Sequence, residues 1–255
     1  MSRKTRESRE DRARGAGGKQ DRGKDTTQRW QSTWEMAKSI VVALVLFLLV
    51  RTFLVEAFRI PTGSMEETLL VGDFLFVNKA VYGAQLPGTS KRLPSFAEPE
   101  RGDVVVFIPP HDPGKNYVKR LVGAPGDTLE MRDQVLYVNG EPQDEPYVQH
   151  TDLLGLDITV RDMLWQRAHL VGDLSPEEYV PSRDNWGPIV VPEDNYFMLG
   201  DNRDDSQDSR YWGFVERGAI KGKPLFVYYS FNANTMKPFP WITQIRWARI
   251  GDVIR

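Results

Sequence analysis

Three short segments hold side chains whose types and spacing can do chemistry. In Ile60-Pro-Thr-Gly-Ser-Met65, Pro61 fixes one backbone angle and Gly63 is free to take a positive φ, so Ser64 can be displayed from a tight, exposed turn. A competing reading is a helix start, because Ser64 and Glu67 have the spacing of a capping box ahead of Thr68-Leu-Leu70. In Tyr117-Val-Lys-Arg-Leu-Val122, strand alternation puts Tyr117, Lys119 and Leu121 on one face and Val118, Arg120 and Val122 on the other. A lysine beside Tyr and Leu is open to desolvation, which lowers its pKa and leaves a neutral amine near pH 7–8. The competing reading is a strand lysine that snorkels to water. The third segment, Gly200 to Phe214, interleaves Asp and Arg ahead of Tyr211-Trp-Gly-Phe214, a pattern for ion pairs packed on aromatics in a rigid turn. A calcium loop starting at Asp201 fails, with Arg203 third, Ser206 where glycine is needed and Trp212 where glutamate is needed.

Other chemistries are excluded by composition. The 255 residues include no cysteine, so there is no disulfide, no thiolate metal site and no thiol nucleophile. His111, His150 and His169 lie in Pro-rich or inserted segments without metal-ligand spacing and read as surface residues. No His-Glu-x-x-His, phosphate-binding glycine loop or Gly-x-Ser-x-Gly elbow is present. No metal and no cofactor are expected.

The elements that must position these residues begin with a membrane segment. Ile40 to Val50 is an unbroken run of eleven apolar residues, and Met36 to Val55 carries only Lys38 and Arg51 as charges. A spanning helix needs roughly 20 such residues, and basic side chains near its ends can snorkel. Trp30 and Trp34 read as an interfacial belt. A buried core helix and a cleaved signal peptide, with Val55 and Ala57 at the −3 and −1 positions, are the alternatives. Ahead of this run, residues 1–29 hold 10 Lys+Arg and 5 Asp+Glu with no Val, Ile, Leu or Phe, whereas the other 226 residues hold 23 and 30. A basic arm of this kind can bind nucleic acid, but the apolar run behind it points to membrane orientation, tail in the cytoplasm. The expected organisation is a disordered tail over 1–35, an anchor over 36–56 and an outer domain over 57–255.

That outer domain reads as mainly β. Apolar runs at Asp73–Asn78, Asp103–Ile108, Tyr117–Val122, Thr128–Met131, Gln134–Val138, Tyr196–Leu199 and Pro224–Ser230 are separated by Gly, Pro and Asp, with Asn139-Gly140 a two-residue hairpin turn. Strands this frequent without long helices indicate an antiparallel sheet. Residues 141–188, Pro-rich and acidic with a short helix around Asp162–Leu170, read as a cap inserted between a core of about 57–140 and 189–255. Residues 83–100 read as an extended loop. The C-terminal stretch from Phe239 to Ile250 is either a last strand or a Trp- and Arg-bearing membrane contact.

From about residue 36 onward the chain resembles the bacterial type I signal peptidases, membrane-anchored serine proteases with a Ser–Lys dyad. The resemblance rests on Ile60–Met65, Gly72-Asp-Phe74, Arg101–Phe107, Tyr117–Asp127 and Gly200–Phe214. It implies the antiparallel signal-peptidase fold with one N-terminal transmembrane helix, Ser64 as nucleophile and Lys119 as general base. It further implies Thr62 as an oxyanion donor, Ser206 as the residue that orients the lysine, and Arg120, Asp201, Arg203, Asp208 and Arg210 as supports. Phe58, Ile60, Met65, Leu69, Leu75, Val106, Tyr117 and Val118 match the lining of pockets for small residues at −1 and −3 of a preprotein. The implied partners are preprotein signal peptides and the phospholipid of the inner membrane, with a monomer as the expected state. An inactive peptide-binding homologue and a peptidase dedicated to one substrate are the alternatives. One departure stands out: family members commonly carry Met-x-Pro-Thr-Leu after the nucleophile, and here the run is Met65-Glu-Glu-Thr-Leu69.

Overall fold

The computed structural model describes residues 22–255 apart from Pro87, Ser90, 153–156 and 158–159, with side chains described from Trp34 onward. The expected disorder of residues 1–21 lies outside the described residues. Helix α1 spans Arg22–Phe53, so it starts well before the expected residue 36 and takes in residues 22–35, which the sequence placed in the tail. Once a helix is nucleated, each further residue adds a hydrogen bond at little cost, and Asp25 to Gln31 includes neither Pro nor Gly to stop it. Trp34–Phe53 is long and apolar enough to cross a membrane. Its side chains from Ile40 to Val50 are exposed, which argues against a buried core helix. The chain divides into two units at Val50/Arg51.

In the second unit the helix stops short of residue 56 because Val55–Arg59 forms strand β1, paired antiparallel with β2 (Asp73–Asn78) from Val55↔Asn78 to Arg59↔Phe74. Further strands are β3 (Val104–Phe107), β4 (Tyr117–Gly123), β5 (Thr128–Arg132), β6 (Val135–Val138), β7 (Glu141–Pro142), β8 (Trp186–Val190), β9 (Asn195–Leu199), β10 (Val215–Glu216) and β11 (Ile220–Ser230). They form a seven-stranded sheet in the order β1-β2-β11-β3-β4-β9-β10 and a four-stranded sheet in the order β7-β6-β5-β8. Every strand pairing is antiparallel, in agreement with the expected fold class. Asn139 (φ 54) and Gly140 (φ 85) make the hairpin turn between β6 and β7.

Two expectations need correction. Strand β8 was hidden within the inserted segment by Pro188, which argues against a strand. Yet β8 is a sheet edge, where a missing N–H is tolerated. The second part of the body therefore begins at Trp186 rather than 189, and the inserted stretch is the one between β7 and β8, with its 3₁₀ helix Arg161–His169. The C-terminal stretch is not a strand but a short helix, Pro240–Thr243, and a 3₁₀ turn, Trp247–Arg249, that leave Phe239, Trp241, Ile242 and Trp247 exposed.

Alternation along the strands builds the core. Val104 and Val106 of β3 enter one cluster, with Ile60, Met65, Leu69, Leu75, Val77 and Val227, while Val105 and Phe107 enter another, with Leu121, Met198 and Ile220. β9 repeats the pattern, Tyr196 and Met198 facing one way and Phe197 and Leu199 the other, into the cluster under the four-stranded sheet. Burying each such side chain stabilises the fold by about 1.5–3 kcal/mol.

Candidate active site

The site forms where three chain segments meet at the end of β4. Register brings two of them together: Lys119 of β4 lies opposite Val105, and Arg120 is paired with Leu199, the last residue of β9. The chain leaving β9 at Gly200 is thus beside Lys119. The third segment is the connection from β1 to β2, which is closed at its base by Ile60 N–H to Asp73 O (2.8 Å) and Gly72 N–H to Ile60 O (3.0 Å). It is pulled onto the sheet by Met65 and Leu69, both buried.

Ser64 sits on that connection in a turn, not at a helix start. Glu66 N–H donates to Gly63 O and Leu69 N–H to Met65 O, but no helix follows, so the capping box does not form. The positive φ expected at Gly63 falls instead on Glu67, at 76°. Lys119 Nζ donates a short hydrogen bond to Ser64 Oγ, and both residues are buried, at 3% and 8% exposure. Burial pushes the Lys119 amine down from its ordinary 10.5 to about 8; Arg210 adds to the push, against the fields of Asp208, Asp201 and Asp205. The snorkelling alternative is therefore excluded by position.

The Asp- and Arg-rich loop is a buried scaffold around this pair. Arg120 donates from Nε to Asp201 Oδ1 (2.9 Å) and from Nη2 to Asp201 Oδ2 (2.7 Å), a two-pronged ion pair with both side chains at 3% exposure or less. Thr68 Oγ1 also donates to Asp201 (2.6 Å), and the Tyr147 ring covers the Arg120 guanidinium at 3.6 Å. Asn202 N–H donates to the Ser64 carbonyl at 3.2 Å. One ion pair thus ties the residue after Lys119 to the residue before Asn202, which holds Ser64.

Arg210 closes the other side, gripping Asp208 through Nε and Nη2 (2.8 Å each) and the Arg203 carbonyl (2.6 Å). Burial works to raise the Asp208 carboxyl, but Arg210, with Lys119 and the Ser206 hydroxyl, holds it below the usual carboxylate range. Arg203 donates to Gly200 O and to Glu145 (2.7 Å), which lies in the inserted segment. Ser206 is buried against Asp208, and its Oγ forms no well-aligned hydrogen bond, to Lys119 or to any other group, among the described residues. Thr62 is exposed on the turn just before Ser64.

The expected lining residues divide. Ile60, Met65, Leu69, Leu75 and Val106 lie in one buried cluster, with Phe58 and Val118 packed half-buried against it. Tyr117 does not join them; it packs on the opposite cluster, edge-on to Phe107, with its hydroxyl 3.4 Å from His111 Nε2. Its place in the strand alternation accounts for this, since Tyr117 and Val118 must face opposite ways.

The sequence missed several contributors. Thr68 and Glu145 act through contacts across more than 50 positions and Tyr147 through one across 27, which no local pattern announces. Gly200 is another. A Cβ there would lie 2.2 Å from Ser206 Oγ and 2.5 Å from the Ser64 carbonyl oxygen, both far inside contact distance. Gly200→Ala is expected to cost about 10²-fold in kcat, since displacement of reacting groups by about 1 Å has that effect. Gly218→Ala, with nothing within 4 Å, is the control. Assay of both variants alongside their circular dichroism checks this.

Residues 33–229 match the family described as signal peptidase, peptidase S26. Among curated relatives, signal peptidase I of Pseudomonas aeruginosa is 40% identical over 86% of this chain and 78% of its own length. Signal peptidase I of Bacillus licheniformis is 36% identical over 81% of this chain and 94% of its own. That of Rickettsia typhi is 32% identical over 89% and 96%. A crystal structure of a signal peptidase I from Enterococcus faecalis is similar over 50% of this chain and 97% of its own, with 32% identity and a TM-score of 0.34.

Proposed function

The chain belongs to the signal peptidase family, peptidase S26, and from that premise we propose a membrane-anchored endopeptidase that removes signal peptides with Ser64 as nucleophile and neutral Lys119 as base. The observation that carries this reading is the buried hydrogen bond between Lys119 Nζ and Ser64 Oγ. Neutral Lys119 takes the hydroxyl proton as Ser64 attacks the scissile carbonyl, then returns it to the leaving amine. A second proton abstraction, from water, releases the acyl group. The Ser64 N–H and the Thr62 hydroxyl are the donors for the oxyanion, each worth about 10²–10³ in rate. Asp201, Arg203, Asp208 and Arg210 keep the dyad in place.

Substrate binding follows from the sheet. β9 pairs with β4 only from Arg120 onward, so among the described residues no strand lies beside Tyr117–Lys119 on that side. An extended peptide adds there by backbone hydrogen bonds. Its −1 and −3 side chains then face the half-buried Phe58 and Val118, an apolar setting that suits small apolar groups. The α1 helix anchors the enzyme with its basic end in the cytoplasm, and Phe239, Trp241 and Trp247 suit contact with lipid headgroups.

A preprotein with Ala-x-Ala before the cleavage point is expected to be cut, and its −1 Ala→Leu variant to resist. The rate, measured as kcat/KM, rises about tenfold per pH unit and levels off near pH 8, where Lys119 loses its proton. A flat profile between pH 6 and 9 would rule out a lysine base.

A further inference from the structure

The inserted segment between β7 and β8 reaches the loop after β9 directly. Gln149 is bridged in parallel to Asn202. Its N–H donates to the Asp201 carbonyl (2.9 Å), and its carbonyl accepts from the Arg203 N–H (3.0 Å). Asn202 lies between those two groups, and its own N–H donates to the Ser64 carbonyl at 3.2 Å. Backbone groups of neighbouring residues in an extended chain point to opposite sides. The 201–203 stretch therefore has the turn of the nucleophile on one side and the inserted segment on the other.

Side chains lock this arrangement just beyond Arg203. Asp204, at 4% side-chain exposure, meets three groups of the inserted segment: His150 Nδ1 (3.3 Å), Arg183 Nε (3.4 Å) and the Asp152 N–H, which donates at 2.8 Å. Arg183 is itself held by Asp152 (3.2 Å) and Asp184 (3.0 Å). Thr151 Oγ1 donates to Asn202 Oδ1 (3.0 Å), which adds a side-chain tie beside the backbone bridge. The carboxylates whose fields reach the Lys119 amine most strongly are Asp208, Asp201 and Asp205, which leaves Asp204 to act through the placement of the chain.

We propose that Asp204 is a positioning residue for peptide cleavage, clamped by the inserted segment so that Asn202 holds Ser64 within reach of Lys119. This rests on the peptidase reading above. The lever is short: Asp204 fixes the chain two residues beyond Asn202, and Gln149 fixes it at Asp201 and Arg203 on either side. A loop released at these points shifts, and the Ser64 carbonyl loses its fixed donor. The free edge of β4 and the apolar setting of Phe58 and Val118 lie outside the clamp, so peptide binding is spared.

The test uses the full chain in detergent and a preprotein with Ala-x-Ala before the cleavage point, each variant being assayed well below its own melting temperature. Asp204→Ala is expected to lower kcat about 10²-fold, the cost of moving a reacting group by about 1 Å, and to leave KM within about twofold. The pH midpoint stays near 8, because Lys119 keeps its surroundings. Asp204→Asn retains an acceptor for the Asp152 N–H and is expected to recover kcat to within about fivefold of wild type. His150→Ala changes a side chain that is 30% exposed and spares the loop itself, and it should lose about threefold in kcat at constant KM. Wild-type kcat in Asp204→Ala, a rise in KM at constant kcat, or a moved pH midpoint overturns the clamp. If Asp204→Ala does not fold, unchanged kcat in His150→Ala overturns it instead. Failure of the wild type to cut the preprotein overturns the peptidase reading and the clamp with it, a result distinct from these.

Discussion

Ser64→Ala and Lys119→Ala are each expected to lower kcat by at least about 10⁴-fold, and the double variant to be no worse than either alone. Groups that act as one unit are not additive, because removing the base leaves a hydroxyl that cannot lose its proton. Near-normal turnover of preprotein by either single variant would sink the dyad. Lys119→Met adds a second readout that activity does not supply. A lysine whose folded-state value is about 8 against an ordinary 10.5 is less protonated folded than unfolded between those pH values. Stability therefore rises with pH from about 8 to 10.5, and the full cost of the buried charge is present below 8. Lys119→Met removes that cost, so it should stabilise the protein at pH 7, by about 3 kcal/mol at most, with the advantage fading above pH 8. Denaturant titrations at pH 7 and pH 10 measure it.

Breaking the Arg120–Asp201 pair should have the largest effect on stability. Each partner is buried, and removing one leaves the other charge without compensation, at a cost of about 3–5 kcal/mol. Arg120→Leu also strands the Gly102 carbonyl, which accepts from Nη1 at 2.8 Å, and frees the Tyr147 ring. The effect on catalysis follows from the same geometry. Arg120 adjoins Lys119, and Asp201 adjoins Asn202, whose N–H holds the Ser64 carbonyl, so the pair fixes both members of the dyad relative to each other. Arg120→Met combined with Asp201→Leu should regain part of the stability, since no unpaired charge remains, yet stay well below wild type in kcat. Equal recovery of stability and activity would show the pair to be structural only.

Much of this was legible in the residues because the signals are local. An unbroken apolar run from Ile40 to Val50, alternation in Tyr117–Val122 and Asn139-Gly140 between two strands each depend on neighbours within a few positions, and each element formed where its pattern lay. The strand that was missed, β8, carries Pro188, a local signal against pairing that only its edge position makes harmless. The capping box failed for the opposite reason: the pattern was present, but the turn was claimed by burial of Met65 and Leu69 and by the Lys119 contact with Ser64.

The sequence by itself determined the apolar helix, the antiparallel β architecture and the candidate pair of a serine and a lysine. Tertiary structure alone decided that Ser64 and Lys119 touch, that the amine is dry enough to sit near pH 8, that Gly200 has no room for a methyl group, and that Tyr117 faces away from the apolar cluster. The division has a physical cause. Hydrogen-bonding pattern and hydrophobic period are set by a residue and its near neighbours, whereas desolvation, contact and strain depend on which distant segments the sheet register brings to the end of β4.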